Sequence, residues 1–141
     1  MISTMFERFS PLQRSLLSSF AGFIVYGSWA YMVNSMHGVA AGVKAACVQG
    51  GYSFALTFVM TMLIEMLYRC ASRYSESEKA ASVLTIVATC AIIFSTSWWV
   101  NVIAGTPEIF NTVILGYVFG GIYTCSYVVG LSKARRRQKI Q

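Results

Sequence analysis

A row of polar side chains at every fourth position runs through one of the most apolar segments of the chain. Residues four apart lie on one face of a helix, so the row predicts a helix with a single polar seam. Polar groups inside a bilayer are costly without a partner or water, and we therefore expect the seam to face protein or a cavity. Its members are Gln49, Ser53, Thr57, Thr61, Glu65 and Arg69.

The composition around this row predicts an all-α integral membrane protein. Of the 141 residues, 56% are hydrophobic and 11% are charged, whereas soluble domains carry about 25% charged residues. The net charge of +6 comes from basic residues that cluster between apolar runs and at the C-terminus. That distribution favours contact with anionic membrane lipids and argues against binding of nucleic acid.

Four apolar segments are long enough to be transmembrane helices, since each is close to the ~20 residues that cross a bilayer. They form two helical hairpins within a single domain, residues 1–141, that ends in a basic tail at residues 132–141. The predicted spans are residues 15–33, 45–67, 80–102 and 109–131.

The basic residues also predict the orientation. Ten of the 11 lie before the first span, between the second and third, or after the fourth, and Lys44 is the exception. The positive-inside rule then places both termini in the cytoplasm. We expect a multi-pass protein of the plasma membrane, such as a bacterial inner membrane, with Arg135, Arg136 and Arg137 at its surface.

Shifting the sequence by 67 residues superimposes one hairpin on the other. Asn34 falls on Asn101, both at the outer end of a helix, and Gln49 falls on Gly116. Because both hairpins run in the same direction, the match predicts a parallel internal repeat. Shared membrane composition is the alternative explanation.

The fourth span carries a ridge of small residues. It includes a GxxxG pair, a spacing that lets helix backbones approach closely. We expect the second and fourth helices to cross at their two seams, within one chain or between protomers. Alternatively, both seams serve packing only. The ridge consists of Thr112, Gly116, Gly120 and Thr124.

Glu65 is the only carboxylate within a predicted span, and Arg69 follows it by one turn. This order favours an ion pair, and the alternative is a carboxylate that couples ion movement to transport. Four-helix drug/proton antiporters use a carboxylate deep in the first helix, which this first span lacks.

Three carboxamides lie near the outer helix ends. Asn34 and Asn101 can cap their helices or, with Gln49, line a substrate vestibule. At two boundaries, Ser10-Pro11 and Thr106-Pro107 predict an N-cap followed by proline at the first helical position.

Two functions from different classes remain. The seam from Gln49 to Glu65 favours a small transporter or flippase-type protein for an amphipathic or lipid-linked substrate. In size and topology the chain is similar to small four-helix proteins that move polyprenyl-linked sugars, an architectural analogy without a shared motif. The short loops and the GxxxG ridge favour the alternative, a non-catalytic accessory subunit of a larger membrane complex.

Catalysis is not expected, since no catalytic constellation is present. The single histidine, His37, cannot form a metal site alone. We predict no metal, no cofactor, and either a homo-oligomer or a larger membrane protein as partner.

Overall fold

A computed structural model describes residues 10–140 of the chain. All described regular structure is helical, and four helices are long and apolar enough to cross a membrane. Arg8 and Gln141, which belong to the predicted orientation signal and tail, lie outside the described residues. The helices are α1 (Pro11–Asn34), α2 (Val39–Tyr74), α3 (Glu78–Ala104) and α4 (Ile109–Ile140), with a short 3-10 helix at Ser35–His37.

The helices alternate in direction, so the bundle has two distinct ends. The connection end holds the links at 35–38 and 105–108, and the terminal end holds the link at 75–77. The link at the terminal end is shorter than the gap between the second and third predicted spans, because α2 continues past its predicted span to Tyr74. With 36 residues, α2 is about 54 Å long. The predicted basic tail likewise continues α4 as a helix.

The N-cap predicted before Pro11 is present in the structure, and the one predicted before Pro107 is not. Ser10 is the N-cap of α1, and it exchanges hydrogen bonds with Gln13 in a capping box ahead of Pro11. The N-cap predicted at Thr106 is wrong, since α4 begins at Ile109. The Thr106 hydroxyl instead donates to Asn101 Oδ1 at 2.9 Å.

Glycines allow the closest helix contact of the bundle, between α1 and α2. A Cβ on Gly27 would lie 3.1 Å from the carbonyl oxygen of Ala46, and one on Gly50 would lie 3.1 Å from the ring and carbonyl of Phe23. Real side chains rarely make contacts that short. Small residues that let backbones approach are typical of packing between membrane helices.

An apolar core joins α2, α3 and α4 at the terminal end. Its buried members are Met60, Ile64, Tyr68, Ile93 and Val128. Elsewhere, large apolar side chains cover the outer faces of the helices, such as Met62, which is 72% exposed, and Val87, which is 60% exposed. An apolar exterior suits a bundle whose surroundings are themselves apolar.

Candidate functional site

The polar row of α2 does not stay on one face. Gln49 and Ser53 are buried, the next three members are half-buried, and Arg69 is exposed. Each step of four residues advances about 400° around the helix, or 40° beyond a full turn. Five steps rotate the row by about 200°, so its two ends point to opposite sides of α2. The single seam expected from the sequence is therefore wrong as a geometric description.

The first four members of the row nevertheless share a cleft. A cavity of about 820 Å³ lies within the bundle, and all four helices contribute to its wall. A volume of this size holds a drug-sized ligand or a lipid head group. The row residues that line the cleft are Gln49, Ser53, Thr57 and Thr61.

The cleft opens sideways, between α1 and α4. Among its described lining residues, those on α2 and α3 are buried or half-buried, and every exposed one lies on α1 or α4. Val25 is 54% exposed, Phe119 54% and Ile122 59%. The cleft therefore has a mainly polar rear wall on α2. Its mouth exposes these apolar side chains together with the polar residues Arg14, Ser18 and Ser126.

A carboxamide pair lies at the connection end of the cleft. Asn101 Nδ2 donates to Gln49 Oε1 at 2.8 Å and to the carbonyl oxygen of Ser97 at 2.9 Å. Gln49, Asn101 and Thr106 are all buried. Of the three, Gln49 lines the cleft, and the other two fill the space behind it. The pair thus ties α2 to α3 and forms the floor of the cleft.

Asn34 makes the equivalent connection between α1 and α4. Its Nδ2 donates to Ala30 O at 2.9 Å and to Thr112 Oγ1 at 2.8 Å, and its Oδ1 accepts from the backbone N–H of Glu108 at 2.9 Å. Asn34 and Thr112 are buried. Asn34 bridges the end of one helix and the start of another, and it does not line the cleft.

The two asparagines follow one pattern. Each donates to the carbonyl four residues earlier and reaches the second helix of the other hairpin. Under the 67-residue shift, the partner Thr112 corresponds to Ala45, one turn from Gln49. This agrees with a parallel repeat, although the duplication itself stays a prediction.

Glu65 lies outside the cleft lining. Its Oε1 accepts from the Tyr127 hydroxyl at 2.8 Å, and its Oε2 accepts from Arg69 Nη2 at 3.1 Å. The ion pair with Arg69 is present as expected, with exposed fractions of 38% for the Glu65 side chain and 74% for Arg69. The contact from α4 was missed, because nothing in the sequence relates two residues 62 positions apart.

The small-residue ridge of α4 faces the cleft and α3 more than it faces α2. A Cβ on Gly116 would lie 3.6 Å from Gln49 Nε2, and one on Gly120 would lie 3.5 Å from Ile93 of α3. Both are ordinary van der Waals distances. Thr112 and Thr124 are buried beside them. The absence of side chains at the two glycines widens the cleft. It does not serve a close contact between helix backbones.

The arginines predicted at the membrane surface differ in their surroundings. Arg136 Nε donates to Glu78 Oε2 at 3.0 Å, which ties α4 to the start of α3. Arg135 is half-buried and Arg137 is exposed.

Helix α3 also contributes to the cleft wall. Ser97 lines the cleft, with its hydroxyl buried and without a partner among the described residues. Nearby, the Tyr52 hydroxyl bonds to Thr96 Oγ1 at 2.7 Å and to Ile93 O at 3.1 Å, which fixes the wall between α2 and α3. The sequence carries a pattern that indicates this wall, since the buried residues of α3 recur at every fourth position. They are Ala81, Thr85, Thr89, Ile93, Ser97 and Asn101.

The chemistry available to the cleft is hydrogen bonding. Among the described lining residues, Arg14 is the one charged group, and the others are hydroxyl, amide, aromatic or aliphatic. In the described part of the chain, no group of three or more His, Cys, Asp or Glu residues could hold a metal ion. The arrangement places hydrogen-bonding groups next to apolar side chains within one cleft.

Comparison with known proteins gives no matching family model, no matching curated protein and no matching solved structure.

Proposed function

We propose that the chain is a small membrane transporter of the flippase type, for an amphipathic or lipid-linked substrate. The polar head would occupy the cleft while the apolar chains stay in the bilayer between α1 and α4. The observation that carries this proposal is the asymmetry of the cleft wall. Its rear surface on α2 is mainly polar and protected, and its mouth exposes apolar side chains such as Val25 and Ile122 beside a few polar ones.

The orientation predicted from the basic residues gives this cleft a direction. With both termini in the cytoplasm, the floor at Gln49 and Asn101 lies toward the outside. The mouth extends toward Arg14, near the cytoplasmic surface. Such a protein would load its substrate from the cytoplasmic leaflet of the plasma membrane, and release on the other side requires the carboxamide contacts of the floor to separate.

The transport proposal is tested in proteoliposomes with a fluorescent lipid that carries an uncharged, hydroxylated head. Transbilayer movement is measured as the fraction of fluorescence that a membrane-impermeant quencher removes. Gly116→Leu fills the cleft beside Gln49, whereas Gly130→Leu is a control on the same helix, where a Cβ would meet nothing within 4 Å. We expect movement with the wild type and the control, and none with Gly116→Leu. Equal movement in all three proteins, or none above protein-free vesicles, contradicts the proposal.

A second candidate, the accessory subunit, is favoured by the same apolar mouth. Exposed side chains such as Phe119 and Ile122 also suit the packing of a partner's transmembrane helix. Native mass spectrometry after mild extraction distinguishes the two functions. A fixed stoichiometry with a larger protein supports the subunit, and a monomer or homo-oligomer that retains lipid supports transport.

A further inference from the structure

We infer that the deep end of the cleft is a subsite for an uncharged, hydroxyl-bearing head group, an inference that rests on the transport function proposed above. This end is bounded by one residue from each helix, and two unused hydrogen-bonding groups meet there. The four residues are Tyr26, Gln49, Ser97 and Gly116.

The first unused group is the amide nitrogen of Gln49. Its Oε1 is occupied by Asn101, which fixes the orientation of the carboxamide and turns Nε2 toward Gly116. No hydrogen bond from Nε2 is found within residues 10–140. Because position 116 has no side chain, the space in front of this donor stays open.

The second unused group is the Ser97 hydroxyl. Ser97 is 4% exposed, and its Oγ is buried without a hydrogen-bond partner in the described chain. A buried hydroxyl without a partner costs free energy comparable to a lost hydrogen bond. A serine in a helix can satisfy its hydroxyl on the carbonyl four residues earlier, as Thr85 and Thr124 do. The Ser97 hydroxyl has no such partner among residues 10–140, so a ligand that reaches it would satisfy it.

The distribution of charge excludes ionic heads from this end. Among the described lining residues, the only charge is Arg14. It lies 12 positions before Tyr26 on α1, about 18 Å away. The Glu65 carboxylate bonds to Arg69 and Tyr127. The Glu108 carboxylate bonds to His37 and Asn111. A cation or an anion would therefore enter without a counter-charge, which is costly in an apolar setting.

A hydroxyl group fits both free positions. A head with several hydroxyl groups can donate to or accept from Ser97 Oγ and accept from Gln49 Nε2. The Tyr26 and Tyr117 rings, which also line the cleft, supply apolar surface for the carbon skeleton of the head. Trapped water is the competing occupant, since a polar cavity of this kind can hold it.

The test is equilibrium binding to the full chain in lipid nanodiscs. The probe is radiolabelled n-decyl β-glucoside, with decyltrimethylammonium and decyl phosphate as competitors of matched tail length and opposite charge. Ser97→Ala removes the unused hydroxyl. Ser19→Ala is the matched control, because the Ser19 hydroxyl is also buried without a partner in the described chain and does not line the cleft.

We expect the glucoside to bind and both charged amphiphiles to compete at least tenfold more weakly than unlabelled glucoside. Ser97→Ala should weaken binding about threefold to tenfold, the effect of one hydrogen bond, and Ser19→Ala should not. Equal competition by all three amphiphiles, or no effect of Ser97→Ala, overturns the subsite and leaves water as its occupant. If Gly116→Leu still abolishes binding in that case, the cleft remains the binding site and the transport proposal stands. If Gly116→Leu does not abolish binding, the subsite and the transport proposal both fail.

Discussion

Asn101 donates a 2.8 Å hydrogen bond to Gln49 between two buried carboxamides, and this contact joins α3 to α2 at the floor of the cleft. Interhelical hydrogen bonds in membranes contribute about 0.6 kcal/mol on average and up to about 2. Under the transport proposal, a floor held by contacts of this strength is weak enough to open.

The first prediction concerns this pair. Asn101→Leu should lower the free energy of unfolding by about 1–3 kcal/mol, because it leaves the Gln49 oxygen buried without a donor. The double variant Gln49→Leu/Asn101→Leu should lose less than the sum of the two single changes. Reversible unfolding in mixed micelles measures all three values. Strict additivity would show that the two side chains do not interact.

A matched variant separates the loss of the buried Asn101 contact from the loss of any side-chain amide near the connection end of the bundle. Asn111 is exposed and donates to Glu108 at 3.1 Å. Asn111→Leu should therefore change the free energy of unfolding by less than about 1 kcal/mol. If Asn111→Leu lowered the free energy of unfolding as much as Asn101→Leu does, burial of the amide would not determine the size of the loss.

The second prediction compares two adjacent glycines of α2. Gly50→Ala places a methyl group 3.1 Å from Phe23 of α1, and overpacking of this kind costs about 1–3 kcal/mol. In Gly51→Ala the methyl group meets nothing within 4 Å, and the higher helix propensity of alanine should stabilise the chain by up to about 1 kcal/mol. Thermal unfolding in detergent measures the melting temperature, which should fall for Gly50→Ala only. If both variants melt alike, α1 and α2 do not pack as described.

The third prediction assigns Glu65 to structure and not to the pathway. Glu65→Gln weakens the contacts with Arg69 and Tyr127 but leaves the cleft lining unchanged. Stability should fall by about 1 kcal/mol or less, because the ion pair is partly exposed, and lipid movement in proteoliposomes should stay within twofold of wild type. Tyr127→Phe should behave in the same way. A tenfold loss of movement in Glu65→Gln would restore the ion-coupling role as the better explanation.

The sequence predicts the membrane architecture because apolar length and composition depend on local residues. The four helices long enough to cross a membrane follow from that alone. The cleft could not be predicted, since its mouth depends on where α1 and α4 separate. Contacts such as Tyr127 to Glu65 join residues with no local relation.

The polar row shows where pattern reasoning fails. Four members of the row, spaced by four residues, line one cleft in the structure: Gln49, Ser53, Thr57 and Thr61. Over five steps, however, the 40° excess per step carried Arg69 to the opposite side of α2. The same spacing recurs among the buried residues of α3, where it includes Ser97 and Asn101.

The most direct test asks whether acyl chains reach the rear wall of the cleft. A bimane probe is placed at Thr57→Cys in a chain whose four native cysteines are replaced, and its quenching by lipids with brominated acyl chains is measured. Met62→Cys, at a position 72% exposed, and Thr89→Cys, at a position that is fully buried, are the two references. We predict quenching at Thr57→Cys between the two references, because the cleft opens to the bilayer while its rear wall meets mainly the polar head. Quenching as weak as that at Thr89→Cys would contradict a cleft that opens to the bilayer.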